Sequence, residues 1–265
     1  MRERFRDDVA MVTGASGLIG SACVAAFLEE GARVVALDLE DTVAHGGSYS
    51  EIPAATFDSE RLLFLKTDLK VESEIDKAFS ATEERFGPVT VLVNNAAVYG
   101  RKAFLELETE DLAHIYGVNV FALILCGRRA ARSMIEKGID GRVVNITSTS
   151  SQQSDPFSVG YDSSKGAVDA ATRAMAVALG QYGIRVNAVG PGEMIKSQET
   201  DNLRSPTNLT PFEQRRIPIG RVATPQEVAE AVLFLASRDA RGISGTIVWV
   251  DGGTLGTWTT PFSED

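Results

Sequence analysis

Short apolar runs alternate with longer segments of helical period along the whole chain, and that alternation limits the fold more than any other feature. The runs are Val9–Val12, Arg33–Leu37, Leu62–Lys66, Thr90–Asn94, Arg142–Ile146, Arg185–Val189 and Thr246–Val250. They are rich in Val, Ile and Leu and too short for buried helices, so each reads as a strand buried on both faces. Between them, Ile19–Glu30, Glu72–Phe86, Asp111–Lys137, Ser164–Tyr182 and Pro225–Ala236 repeat apolar residues every three or four positions and read as helices. Repeated strand–helix–strand units build a parallel sheet covered on both faces. Right-handed crossovers make it doubly wound, with a crevice at the carboxyl ends of its strands.

The chain has 265 residues and shows no composition break, internal repeat or low-complexity tract. Residues 1–265 are therefore expected to form one domain, long enough to fold without a disulfide or structural metal. Two stretches lack periodicity, Thr42–Glu60 and Glu193–Pro218. The second follows a strand end, so residues 193–218 are expected to act as a substrate-binding loop or lid. Acidic residues outnumber basic ones and the net charge is −10, which argues against a nucleic-acid partner. Cys23 and Cys126 fall in apolar helical stretches and read as small buried hydrophobes, not as a disulfide framework. No apolar run approaches the ~18 residues of a membrane span. The N-terminus lacks the ~7–15 apolar residues of a signal peptide. A cytoplasmic protein without a membrane partner is expected.

The first strand runs into Thr13-Gly14-Ala15-Ser16-Gly17-Leu18-Ile19-Gly20, and a helix follows. Glycines permit a tight turn there and let backbone N–H groups approach a pyrophosphate, while the helix N-terminus adds partial positive charge. This turn makes the expected fold a Rossmann-type α/β domain of about seven strands. Gly14, Ser16, Gly17, Leu18, Ile19 and Gly20 become candidate dinucleotide contacts. Asp38 ends the second strand, where a carboxylate can accept hydrogen bonds from both ribose hydroxyls and would repel a 2′-phosphate. Neither Gly17 nor Leu39 supplies an arginine for such a phosphate. The expected cofactor is NAD.

Tyr161 and Lys165 form Tyr-x-x-x-Lys, a spacing that puts both on one helix face. Ser148 lies just past the fifth strand, where strand ends face the crevice. Tyrosine is a poor base near neutrality because its free pKa is about 10, and lowering it by three units needs ~4 kcal/mol. A nearby ammonium, with an oxidised nicotinamide, would supply that. No Cys or His spacing fits a metal site, and the two histidines, His45 and His114, are not placed in the chemistry.

With these motifs in place, the chain resembles the short-chain dehydrogenase/reductase family, in its compact form of about 250 residues. Asn94-Asn95-Ala96-Ala97 resembles the family's Asn-Asn-Ala-Gly, and Asp68-Leu69 resembles its adenine-contacting pair. Val118-Asn119-Val120, Asn145-Ile146-Thr147-Ser148, Asn187-Ala188-Val189-Gly190-Pro191-Gly192 and Asp251-Gly252-Gly253 match further family motifs in order. The resemblance implies that Tyr161 is the general acid/base, that Ser148 holds the substrate oxygen and that Lys165 binds the nicotinamide ribose. It also implies that Asn119 holds a relay water through its backbone, that Asp68, Leu69, Asn95, Ala96, Ala97, Pro191, Gly192 and Met194 contact the cofactor, and that the chain forms a homotetramer or homodimer. Two places depart from the pattern. The glycines follow Gly-x-x-Gly-x-x-Gly, with Leu18 at the usual middle glycine. Lys196, with Ser197 beside it, stands where a carboxamide-contacting threonine is usual.

Residues after the catalytic serine line the substrate pocket in the family. Ser150, Gln152, Gln153 and Phe157, with Glu193 after the Pro-Gly turn, are the corresponding candidates, and Tyr99 and Phe157 would add an apolar wall. Buried polar groups need partners, so this lining suits a small polar secondary alcohol or ketone such as a sugar or polyol. Two other readings stand beside it. A 3-oxoacyl-thioester reductase would use NADPH and give a carrier-docking role to Arg128, Arg129 and Arg132; Asp38 opposes it. A cofactor-sensing binding protein would have lost Ser148, Tyr161 or Lys165, and all three are present.

Overall fold

The structure, a computed structural model, describes residues 3–39, 60–194 and 216–257. Residues 40–59, most of the expected lid, Lys196 and Ser197, and the tail from Trp258 lie outside the described residues.

Seven parallel strands form one sheet: β1 (Val9–Thr13), β2 (Arg33–Asp38), β3 (Leu62–Lys66), β4 (Val91–Asn94), β5 (Arg142–Ile146), β6 (Arg185–Pro191) and β7 (Ile247–Val250). Their order is β3-β2-β1-β4-β5-β6-β7. Alternation on each strand feeds two cores. Ala10 and Val12 of β1 pack with Val34 and Ala36 on one face, beneath α1 (Leu18–Glu29) and the helix Pro225–Ala236. Val9 and Met11 pack with Val35 and Leu37 on the other, beneath α2 (Glu72–Phe86). Phe27 and Phe79 anchor the two faces and are fully buried. Burial of each such ring contributes about 1.5–3 kcal/mol.

The stretch expected as one helix over Asp111–Lys137 is instead three elements. α3 (Thr109–Tyr116) runs into a π turn at Gly117–Ala122, and α4 (Leu123–Glu136) follows. A π turn inserts one residue into the helical ladder, a change that hydrophobic periodicity does not register. Taken together, Thr109–Glu136 is long and apolar enough to cross a membrane by length and composition, contrary to the sequence expectation. Here Cys126, Ala130, Ala131 and Met134 turn inward and belong to the core under the sheet.

The helix carrying Tyr161, α5 (Val159–Leu179), begins one turn earlier than its apolar period suggests. Its start is fixed by the preceding loop: Asp155 N–H donates to Asp162 Oδ2 at 3.0 Å, and Asp162 N–H to the Ser158 carbonyl at 2.8 Å. The last helix, α6 (Pro225–Ala236), opens on a capping box between Thr224 and Glu227 with Pro225 in its first turn. The strand order reverses between β1 and β4, and the crevice opens there at the strands' carboxyl ends.

Candidate active site

The β1–α1 turn is tied to the segment after β4. Asn95 Nδ2 donates to the carbonyls of Thr13 (2.9 Å) and Gly14 (2.8 Å), and Thr13 Oγ1 accepts the N–H groups of Asn95 and Ala96, each at 3.0 Å. Gly14 has φ +63°, and a Cβ there would stand 2.7 Å from Ala96 Cα, so only glycine allows this approach. Gly20 is demanded by the turn itself, since its Cβ would lie 2.1 Å from the Gly14 carbonyl oxygen. Gly17 differs. It caps α1 in an extended conformation, and its Cβ would meet only that same oxygen, at 3.4 Å. The protein's own packing leaves room at Gly17, on the side that faces the cavity.

The cavity has a volume of about 1720 Å³ and runs the length of the crevice. That exceeds the ~300–1,000 Å³ of an ordinary small-molecule pocket and accommodates a dinucleotide beside a substrate. Asp38, Leu39, Asp68 and Leu69 line it beyond β2 and β3, Gly17 and Leu18 beyond β1, and Ser148, Tyr161 and Lys165 beyond β5, so the strand order spreads them along the crevice in that sequence. Asp38 Oδ2 accepts the Ser16 N–H at 2.8 Å and Oδ1 the Leu39 N–H at 2.7 Å, so the carboxylate is held beside the turn. Ser16 Oγ is buried in the cavity wall with no hydrogen-bond partner. An orphaned hydroxyl beside a glycine-sized gap at a helix N-terminus fits a dinucleotide's phosphates. Ile19, Ala96, Ala97, Pro191, Gly192 and Met194 also line the cavity; Gly20 does not, and serves the turn's packing.

The chemistry gathers at the first turns of α5. Lys165 Nζ lies 5.6 Å from the Tyr161 ring centroid and donates to the Ile146 carbonyl at 2.9 Å. Its ammonium is buried, which pulls it down to about 8, against the opposing pull of the Asp169 charge. Ser148 caps the 3₁₀ turn Thr149–Ser151, its Oγ accepting the Ser150 N–H at 3.1 Å, and its side chain also hydrogen-bonds Tyr161. Burial raises the Tyr161 phenol, the Ser148 hydrogen bond only partly offsets it, and the lysine is engaged by Ile146. Tyr161 rests as a protonated acid whose deprotonation needs added positive charge.

A family model described as enoyl-(acyl carrier protein) reductase matches residues 14–254. The NADP-dependent (R)-specific alcohol dehydrogenase of Lentilactobacillus kefiri is 32% identical over 255 residues, covering 96% of this chain and 98% of that one. The L-xylulose reductase of Mesocricetus auratus is 36% identical over 253 residues, with 94% and 96% covered. Among solved structures, a short-chain dehydrogenase from Leptospira borgpetersenii with bound NAD+ superposes with a TM-score of 0.81 at 25% identity, covering 95% of this chain and 94% of that one. The chain belongs to the short-chain dehydrogenase/reductase family. It is an oxidoreductase of a family that binds a nicotinamide cofactor.

Within this short-chain dehydrogenase/reductase, Asn119 sits in the π turn and off the cavity wall. Its side chain clamps the segment after β4 to α5: Oδ1 accepts the Val98 N–H at 2.8 Å, and Nδ2 donates to the Val98 carbonyl and to Ser164 Oγ, each at 3.0 Å. A second buried relay joins the strands to α5, from Asn94 Nδ2 to Asn145 Oδ1 and from Asn145 Nδ2 to Thr172 Oγ1, both at 2.9 Å. Tyr99 packs its ring edge-on to Tyr161 with centroids 4.8 Å apart, and its hydroxyl lies 3.0 Å from Ser158 Oγ at the α5 cap.

Of the substrate candidates, Ser150, Gln153 and Glu193 line the cavity. Gln152 and Phe157 do not. Gln152 is exposed, and its Nε2 donates to the buried Asp169 at 3.0 Å; Phe157 is half-exposed beneath the Arg101 guanidinium. Sequence reasoning missed Arg216, which lines the cavity and donates to Gln153 Oε1 at 2.8 Å. An arginine in an aperiodic stretch carries no signal of that contact. The arginine patch on α4 is charge-compensated in part: Arg128 pairs with Glu72, and Arg129 with Glu83 at 3.2 Å. No group of three or more His, Cys, Asp or Glu placed to hold a metal ion occurs among the described residues.

Proposed function

We propose that this chain is an NAD(H)-dependent oxidoreductase that moves a hydride between nicotinamide and the carbinol or carbonyl carbon of a small polar secondary alcohol or ketone, a sugar or polyol foremost. One observation carries the reading: Ser148, Tyr161 and Lys165 converge at one end of a cavity whose other end is set by Asp38. When bound, a nicotinamide dinucleotide supplies the hydride acceptor or donor. Ser148 hydrogen-bonds the substrate oxygen. Tyr161 Oη gives that oxygen a proton in reduction and removes it in oxidation. Lys165 places positive charge beneath the Tyr161 ring and so stabilises the phenolate.

Asp38 supports NAD over NADP. Its carboxylate is locked beside the turn by two backbone N–H groups, where a 2′-phosphate would meet like charge. Ser150 and Gln153 support a hydroxyl-bearing substrate, and the sugar-reducing relative lends the same direction. Self-association through α4, α5 and the π turn before α4 is part of the proposal, because Phe121 of the π turn, Ile124 of α4 and Val177 of α5 are exposed. A cytoplasmic setting is also part of it, in keeping with two unpaired buried thiols.

The test is reduced-cofactor formation across sugars, polyols, hydroxyacyl thioesters and hydroxysteroids, with NAD+ and NADP+ in parallel. The expected result is NAD+-dependent turnover of a polyol or sugar, falling at least 100-fold in Tyr161→Phe. Turnover with NADP+ alone would overturn the reading of Asp38. Full activity in Tyr161→Phe would overturn the mechanism.

A further inference from the structure

Asp169 follows Lys165 by one turn of α5 and is only 2% exposed. An aspartate in an alanine-rich helix is ordinarily solvated, and a buried carboxylate is costly unless it is hydrogen-bonded or paired. Here both oxygens have partners, and both partners come from one short stretch beyond β5. Thr147 Oγ1 donates to Oδ1 at 2.5 Å, and Gln152 Nε2 donates to Oδ2 at 3.0 Å. Ser148 lies between them. The Thr147 N–H is itself fixed to the Val189 carbonyl at 2.9 Å, so the stretch is anchored to β6 at the same point.

We propose that Asp169 is a positioning residue of the active site, bracing residues 147–152 so that Ser148 is held against Tyr161 and setting a fixed negative charge one helical turn from Lys165. The inference rests on the reading of Ser148, Tyr161 and Lys165 given above.

The charge has a clear target. Asp169 is the charged side chain acting on Lys165, and it opposes the loss of the ammonium that burial favours. The elements around the pair add neutral groups. β5 and its extension contribute the Ile146 carbonyl, Thr147 and Gln152; β6 contributes Asn187, which is turned toward Ile243; the π turn contributes Asn119, which is bonded to Ser164. On α5 the other titratable groups are Tyr161, Asp162 and Arg173, the last one turn beyond Asp169 and exposed to solvent, and Tyr99 faces Tyr161 from the loop after β4. Without Asp169, the buried Lys165 would lose its proton at lower pH and stabilise the phenolate less. The brace and the charge are separable, because Gln152 serves the first alone.

The test is side-chain carbon NMR of isotopically labelled lysines, with the Lys165 signal assigned by its loss in Lys165→Met. It needs no substrate. In Asp169→Asn the Lys165 titration midpoint should fall by about one unit or more. In Gln152→Ala it should stay at the wild-type position. With a turned-over substrate in hand, Asp169→Asn should move the alkaline limb of kcat/KM to lower pH, while Gln152→Ala should lower kcat and leave the limb in place. A Lys165 midpoint unmoved by Asp169→Asn overturns the inference even if the enzyme is active. Absence of turnover in the wild type would instead sink the oxidoreductase reading and leave the NMR result standing. If Asp169→Asn does not fold, the carboxyl carbon shift of Asp169 in the wild type decides: a protonated carboxyl at neutral pH overturns the proposal, and an ionised one supports it.

Discussion

Gly17 and Gly20 sit in one turn and should fail in opposite ways when changed to alanine. At Gly17 the backbone has φ −74° and ψ 170°, which any residue adopts. A Cβ there meets only the Gly14 carbonyl oxygen, at 3.4 Å. Gly17→Ala should therefore fold normally, with a gain of up to ~0.4–1 kcal/mol from the less flexible unfolded chain. The methyl instead occupies the gap that the phosphates must enter. Forcing one methyl into a filled site costs ~1–3 kcal/mol, a weakening of about 5- to 150-fold in dinucleotide Kd. At Gly20 the Cβ would lie 2.1 Å from the Gly14 oxygen and 2.9 Å from Ala15 Cα. Both are backbone atoms of the same turn, so the fold itself must yield. The same ~1–3 kcal/mol then falls on stability, at roughly 2–4 °C of Tm per kcal/mol for a domain of this size. Thermal unfolding without dinucleotide, beside calorimetric titration with NAD+, separates the two effects. Wild-type affinity in Gly17→Ala would refute the phosphate cradle, and early melting of that variant would refute the space assigned to it.

Three more outcomes follow from named contacts. Lys165 titrates at about 8 when buried, below its unfolded value, so the unfolded chain binds more protons between about 8 and 10.5 and stability rises with pH across that window. Lys165→Met should accordingly raise stability at neutral pH by about 3 kcal/mol, read by urea unfolding, while turnover disappears. Glu227 is held at about 2, chiefly by its hydrogen bond to Arg221 and also by capping Thr224; its contribution is present above the ordinary carboxylate range and is lost as pH falls through about 2. Half-exposed and screened, it should cost only about 1 kcal/mol in Glu227→Gln, measured by thermal melting near neutrality. The Cys23 and Cys126 thiols are pushed up to about 12 by burial, so thiol reagents should label neither at neutral pH until the chain unfolds.

The strands were the most legible part of the sequence. Leu62–Lys66 and Arg142–Ile146 match their apolar runs end to end, and the others differ by one or two residues. A strand buried on both faces must be apolar at every position, so its composition is its signature. Elements with one wet face were less legible. The π turn at Gly117–Ala122 leaves composition unchanged, and the early start of α5 depends on hydrogen bonds of Asp155, Ser158 and Asp162. In the cavity, Tyr161 and Lys165 were readable as neighbours because a spacing of four puts both on one helix face, and Ser148 because it follows a strand end. Gln152 and Phe157 were misplaced because neighbours in an irregular loop turn opposite ways, and no pattern says which.

The amino-acid sequence by itself thus determined the parallel sheet, the glycine turn, the inert cysteines and the three groups that meet at α5. Each of these follows from properties a residue carries with it: transfer free energy, allowed φ and ψ, or side-chain chemistry. The tertiary structure alone decided that burial raises the Tyr161 phenol, that Lys165 is weakened as a cation and that Asp169 is buried one turn beyond it. Those outcomes depend on desolvation and on partners such as Ile146, Thr147 and Gln152, which only the folded chain brings to α5.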